Sequence, residues 1–529
     1  MEEKKLDTTI GTNSLVKSTT RDLVFAAILL VFSVLAVSFT LWGGFSLGFS
    51  ISYLLFFIIS TVYLYPAKKI DVFSMFCGFL SLAASAIFGI YRDSAINFWL
   101  FVGMVICTAV YFIGFCNTAR FWSGGYLLLA DVARTVVVVP FANIAKMFRS
   151  LFGNENPNVK KLKGFYKVGI GLLVAIPALI VIVPLLISSD AAFEGFIDRF
   201  FSNTGELIAQ MFLGSIIAPI IISLLFALKK DLDKPESDTP ASVNLHIVDS
   251  AIINTFLTVI SLCYLTYLFT QLAYFFNAFS GLLPENYTVT QYARRGFFEM
   301  CTIAVINMII IFASLVLLKR KENKTSVVTK ILCCFIILFT MVIISTSFSK
   351  MYLYMETYGL TRLRVLTSCF MVVLFILFIL ALIRIFATKF PYMKVALAVG
   401  FSAIIIVGFA DVDRVVSKYD VEQYKAGALP ELDIGVFEDM SDSCVPYLIE
   451  LMNYDDGPLS YAAREELSSR FEAKFTQKDG KIVPISSVND FRSYNYAKTQ
   501  ADKLLLQYAD ELAPLYYDGD YYEDSYFDE

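Results

Sequence analysis

The sequence predicts an all-α fold: a polytopic transmembrane helical bundle of about eleven spans, followed by a small soluble helical domain. Three observations carry this. The 529 residues are 57% hydrophobic and 17% charged, with mean hydropathy +0.66, whereas a soluble domain stays near about 45–50% apolar and about 25% charged. The excess lies in stretches of roughly 20 apolar residues, each long enough to cross a hydrocarbon core of about 30 Å. From residue 411 onward the composition turns soluble and acidic, with 26 acidic against 11 basic residues, although the whole chain carries only −4.

Taken in order, residues 1–22 are polar, with Lys4, Lys5, Lys17 and Arg21 and no apolar core of a signal peptide. They read as a cytoplasmic tail before a retained signal anchor. Spans at 23–42, 45–65, 72–90 and 97–117 make the first membrane block, 23–118. The region 119–164 is different. Tyr126–Ala145 is apolar, but it contains Asp131 and Arg134 and is flanked by Arg120, Lys146 and Arg149. Short basic loops stay in the cytoplasm, so both of its ends belong on one side, and it reads as an interfacial or re-entrant helix. The next span, 165–188, holds Gly169, Gly171, Pro177 and Pro184, and 207–228 holds Pro219; proline removes a backbone donor and bends a helix. An acidic amphipathic loop with Asp190, Glu194, Asp198, Arg199 and Glu206 joins them. Spans at 250–274, 297–318, 327–349, 365–386 and 394–410 complete a seven-helix core, 165–410.

Lysine and arginine fix the expected orientation. The loops after even-numbered spans are basic: Lys68-Lys69, Lys160-Lys161, Lys229-Lys230, Lys319-Arg320-Lys321, and Arg384 with Lys389 and Lys394. The positive-inside rule then puts the N-terminus in the cytoplasm and, after eleven crossings, the C-terminal domain outside. A crossing by 126–145 would turn every later basic loop outward.

Residues 411–517 read as an all-helical domain, with helices over Asp411–Tyr424, Val445–Met452, Pro458–Phe475 and Asp490–Ala513. Pro458 suits a first helical turn, and Leu504, Leu505, Tyr508 and Leu512 recur at helical spacing. Asp518–Glu529, mostly acids and tyrosines, reads as a disordered tail.

Little in the chain carries covalent chemistry. A lone histidine, His246, argues against a histidine metal site or a Ser-His-Asp triad. Eight of nine cysteines lie in apolar segments without a C-x-x-C spacing, the pattern of small hydrophobes. Phosphate loops, dinucleotide fingerprints and metalloprotease motifs do not occur, so no catalytic residue, metal ligand or cofactor is assigned. The acidic soluble part argues against nucleic-acid binding. Deep polar residues are mild, namely Asn254, Gln210, Asn307, Thr340 and Ser345-Thr346-Ser347, and suit hydrogen bonds between helices.

The candidate site is a pair of outward collars, Tyr292-Ala-Arg294-Arg295-Gly-Phe-Phe-Glu299 and Tyr358-Gly-Leu-Thr-Arg362-Leu-Arg364. Arginine is sparse on an outer face and binds phosphate or carboxylate bidentately. If their helices are neighbours, Arg294, Arg295, Arg362 and Arg364 form one cationic shelf framed by Tyr292 and Tyr358, with Glu299 and Glu356 holding the guanidiniums. The plainest alternative is an ordinary anchor snorkelling to lipid phosphates; a partner-protein contact is the third. Expected partners are membrane lipids, an anionic small molecule or lipid headgroup, and an envelope protein reached through the C-terminal domain.

At these collars the chain resembles the bacterial membrane proteins of domain of unknown function 4173. The likeness extends over roughly 165–500 through Asp411-Val-Asp-Arg414, Tyr419-Asp-Val-Glu-Gln-Tyr424, Val445-Pro-Tyr-Leu448 and Asp490-Phe-Arg-Ser-Tyr-Asn495. The resemblance implies a location in the bacterial cell membrane and no particular chemistry. Together these readings describe a non-enzymatic envelope protein that binds, senses or scaffolds, with a transporter or flippase for a lipidic or anionic solute as the alternative.

Overall fold

A computed structural model describes residues 18–67, 71–91, 94–118, 127–152, 191–230, 247–280, 297–318, 326–387, 389–478, 481–485 and 491–512, with a few single positions between 181 and 190. Among the described residues eleven helices are long and apolar enough to cross a membrane. The number matches the expectation, but the membership differs by one. The expected span 165–188 lies outside the described residues, whereas the apolar run after Tyr126 forms a helical stretch, Leu128–Leu151, that qualifies by length and composition.

The membrane helices follow the apolar runs closely. α1 (Thr20–Val37) opens on a capping box in which Thr19 and Asp22 satisfy each other's backbone N–H groups, and it ends in a π turn, Ser38–Trp42. Then come α2 (Leu47–Leu64), α3 (Val72–Ile90) and α4 (Ser94–Cys116). α5 (Leu128–Ala133) passes through a π turn, Arg134–Val138, into α6 (Val139–Phe152). α7 (Ala191–Lys229) contains Pro219 within a single helix. The acidic stretch expected as a loop is therefore helical from Ala191 onward; its acids interrupt an apolar pattern without breaking helical propensity. α8 (Ser250–Ser280), α9 (Phe297–Leu317), α10 (Val327–Tyr358), α11 (Arg362–Phe386) and α12 (Tyr392–Ala410) follow. α10 runs beyond the expected end at residue 349 and carries the tyrosine-rich segment into the second collar.

Among the described residues buried side chains form one large core, one smaller core and a minor cluster of Met300, Phe339 and Ile343. The large core draws on α1–α7 and α12 and continues into the soluble domain, so that Phe88, Phe226 and Phe401 belong to the same cluster as Phe437 and Leu505. The smaller core is built from α8–α11, around Leu257, Ile311, Ile336 and Phe378. Its helices are tied by the mild polar residues. Tyr264 donates to Asn307 at 2.6 Å, Asn307 donates to Thr340 at 2.9 Å, and Thr329 donates to Asn254 at 2.6 Å.

The two ends of the large bundle are chemically distinct. At one end Lys230 pairs with buried Asp22 at 2.8 Å, Tyr63 donates to the same carboxylate at 3.0 Å, and Lys229 donates to the Tyr63 carbonyl at 2.7 Å. Ser18 donates to the Ser150 carbonyl at 2.7 Å, so α6 finishes at this end too. The opposite end, formed by the finish of α1 and the start of α2, holds the soluble domain.

That domain contains α13 (Val412–Lys425), α14 (Gly435–Glu438), α15 (Val445–Met452), α16 (Pro458–Glu472), α17 (Tyr496–Gln507) and α18 (Ala509–Leu512). Two expectations fail here. The domain is not all-helical, because β1 (Phe475–Lys478) and β2 (Lys481–Pro484) pair antiparallel with Lys478 opposite Lys481. Asp479-Gly480 between them in the sequence is a strong hairpin signal, flanked by the β-branched Thr476, Ile482 and Val483. The helix expected from Asp490 starts instead at Tyr496, where Asn495 accepts the Lys498 N–H at 3.2 Å, and Phe491–Ser493 is a 3-10 turn. An asparagine that can cap starts a helix in preference to sitting inside one. All nine cysteines are free thiols.

Candidate functional site

The second collar is the turn between α10 and α11. Tyr358 ends α10, and Gly359 has φ +75°, the left-handed region. A Cβ on Gly359 would also stand 2.8 Å from Asp420 Oδ1, so glycine is required on both counts. Thr361 then caps α11 by accepting the Arg364 N–H at 3.3 Å.

The two collar arginines have internal partners. Arg362 donates through Nε and Nη2 to the two oxygens of Asp413, at 2.6 and 2.5 Å. Asp413 also accepts the Ser441 N–H at 2.7 Å, and its side chain is fully buried while that of Arg362 is 17% exposed. The result is a bidentate, desolvated ion pair between a membrane helix and the first helix of the soluble domain. Arg364 curls back over its own turn. Its Nη1 donates to the Gly359 carbonyl at 2.8 Å and the Tyr358 carbonyl at 3.2 Å, and its guanidinium lies 4.1 Å from the centre of the Tyr354 ring, a cation–π arrangement. Tyr358 is exposed. Asp420, two turns along the same face of α13, accepts the Leu360 N–H at 2.7 Å. Burial pushes its carboxyl up to about 7, only partly offset by that N–H and by the Arg364 charge.

Of the first collar, Tyr292, Arg294 and Arg295 lie outside the described residues; Glu299 is exposed in the first turn of α9. The described geometry therefore gathers Tyr358, Arg362 and Arg364 with Asp413 and Asp420 from α13.

Sequence reasoning missed three residues of this junction. Asp413 and Asp420 sit in motifs quoted only for their likeness to a family. Arg492 is the third. It reaches the bundle, where Nη1 donates to Ser38 at 2.7 Å and pairs with Glu206 at 2.8 Å, while its carbonyl accepts from Ser46. A Cβ on Gly43 or Gly48 would stand 2.6 or 2.5 Å from that carbonyl, so both glycines make room for the backbone of the soluble domain. Asn495 adds a bond to the Phe88 carbonyl at 3.2 Å, and the Leu47 N–H is bonded to the Tyr494 carbonyl at 2.9 Å. A glycine pair at the head of an apolar run was the available signal.

What the junction can do chemically is hold, exchange and release charge. Its groups are guanidiniums, carboxylates and phenols, and no cluster of three potential metal ligands occurs among the described residues.

No curated protein and no solved structure matches the chain at a significant level. A family profile does match, over residues 75–451, and its description is Domain of unknown function (DUF4153). This corrects the resemblance to domain of unknown function 4173, a different family of the same kind. The match begins in α3, takes in the remaining described membrane helices and the α10–α11 collar, and closes in α15 beyond Asp413 and Asp420; on that extent the chain belongs to the DUF4153 family.

Proposed function

We propose that this multi-pass membrane protein is a non-enzymatic binding and sensing protein of the bacterial cell membrane. In this reading its N-terminus is cytoplasmic and its soluble domain extracytoplasmic. The observation that carries it is the Arg362–Asp413 pair. An arginine at the head of a membrane helix is held by a carboxylate with no solvent exposure of its own, so an anion that competes for the guanidinium loosens the domain from α11. The ligand chemistry is a phosphate or carboxylate, from a lipid headgroup or from solution.

The orientation is supported by the opposite placement of the Asp22–Lys230 and Arg492 ends along α1, α2 and α7.

The test uses the full chain in nanodiscs. Cleavage of the soluble domain by added protease is followed in zwitterionic lipid, in lipid containing an anionic headgroup, and with free phosphate. The reading expects faster cleavage with one of the two anions and no such response in Arg362→Gln. Equal rates in all three conditions, or an unchanged response in Arg362→Gln, would reject it.

A further inference from the structure

The large bundle contains a cavity of about 360 Å³ between α1, α2, α4, the α5–α6 turn and α7. Its wall is almost wholly apolar, with Phe32, Phe56, Val105, Ala109 and Ile221 among the lining side chains. An engineered apolar cavity of about 150 Å³ already stays dry and admits benzene, so a larger one of the same lining favours hydrocarbon over water. The hydroxyls on the wall do not alter this. Tyr53 and Thr108 bond to each other at 2.5 Å, and Thr40 bonds to the Ala36 carbonyl at 2.6 Å. The Ser52 hydroxyl on the wall has no hydrogen-bond partner among the described residues, but a buried water needs about two to four polar partners.

The ends of the same helices decide where an occupant enters. One end is closed by Asp22, Tyr63, Lys229 and Lys230, and the other by Arg492 with Ser38, Ser46 and Glu206. Each is a polar plug that a hydrocarbon would have to break. The side is different. Phe101 belongs to the wall and is 39% exposed, and it lies within Ile96–Cys116, a helix long and apolar enough to cross a membrane. We propose that the cavity is a lateral site for a single hydrocarbon chain of a membrane lipid, admitted past Phe101. The site is independent of the anion reading at the collar, since no collar residue lines it.

The full chain is reconstituted into phosphatidylcholine vesicles in which a fraction of the lipid carries a diazirine on its acyl chain, irradiated, and mapped by peptide mass spectrometry. The expected result is label on the wall residues Phe56 and Val105 as well as on outward Leu54 and Phe79. Ala109→Phe should lower the wall label by about tenfold and leave the outward label unchanged, because the new ring fills the space a chain would take. Ala36→Phe repeats this from α1 in case the first substitution prevents folding. The unmodified protein decides by itself if neither folds: label confined to outward residues overturns the site. So does wall label that survives both substitutions.

Discussion

The two halves of the membrane region are held together in different ways. The α1–α7 and α12 bundle shares one continuous core with the soluble domain and is plugged by ion pairs at both ends. The α8–α11 group has a smaller core of its own, with outward faces such as Ile252, Phe269, Ile309 and Ile331 left to lipid. Within that core its helices are also linked by single hydrogen bonds among Tyr264, Asn307 and Thr340 and between Thr329 and Asn254. Its described side-chain link to the soluble domain is concentrated in the turn that holds Gly359, Arg362 and Arg364. The soluble domain therefore behaves as an extension of the first half, and the second half is fastened to it at one charged joint. The lesson is that a desolvated ion pair joins a small apolar contact of Leu360, Val365 and Leu366 in making the coupling that a continuous core supplies elsewhere.

Breaking that joint should have the largest effect. Arg362→Ala leaves Asp413 buried without its counter-ion, a loss of about 3–5 kcal/mol in comparable pairs. The expected outcome is a lowered thermal midpoint in detergent and protease cleavage near α13, while the α1–α7 core stays protected. The paired change Arg362→Met with Asp413→Leu should recover much of the stability. Arg492→Ala attacks the other attachment. It removes bonds to Ser38 and Glu206 in a partly exposed setting, and about 1–2 kcal/mol is expected. The difference from Arg362→Ala sharpens the comparison, because the first half keeps its shared apolar core; equal effects would dissolve it.

The pH dependence of the joint comes next. The carboxyl of Asp420 is raised from 3.8 to about 7, so the folded state binds a proton more readily than the unfolded chain between those values. Its contribution to stability is fully present below about pH 4 and is lost as pH rises through 7. Asp420→Asn keeps an acceptor for the Leu360 N–H and removes the titration. Its stability should exceed that of the parent at pH 8, by an amount on the order of 1–3 kcal/mol, and the gap should shrink on acidification and close only below about pH 4. A gap that widens on acidification would show that another group governs the joint.

The smallest effect is expected within the second half. Asn307→Leu removes bonds to Tyr264 and Thr340, and hydrogen bonds between membrane helices average about 0.6 kcal/mol. A change approaching that of Arg362→Ala would mean that the α8–α11 group is held by its polar row and not by its core. Orientation has a separate check. Cys444 is fully buried, so labelling needs a cysteine introduced at exposed Tyr461; a membrane-impermeant maleimide should react with it in intact cells.

Much of the architecture was legible in the chain. Apolar runs marked α1–α4 and α8–α12 to within a few residues, except that α8 and α10 run six and nine residues past their expected ends, because burial in a membrane demands length and hydrophobicity whatever the tertiary arrangement. Asn307 and Thr340 could be expected to hydrogen-bond between helices, since a buried amide requires a partner, but only the structure pairs them with each other. The Asp479-Gly480 pair is a hairpin signal in the sequence that the all-helical expectation for 411–517 passed over. Of the site, Gly359, Arg362 and Arg364 could be singled out from arginine on an expected outer face. Their partners could not, because Asp413 and Asp420 are among 26 acidic residues of the tail and nothing local distinguishes them.

By itself, then, the sequence determined the fold class, the helical segments and the presence of a charged collar, since hydrophobic length and charge placement are local quantities. The tertiary structure decided which carboxylate meets Arg362, that Arg492 lands between Gly43 and Gly48, and that five helices leave an apolar hollow between two polar plugs. Those contacts join residues tens to hundreds of positions apart, and only the packed geometry brings them within bonding distance.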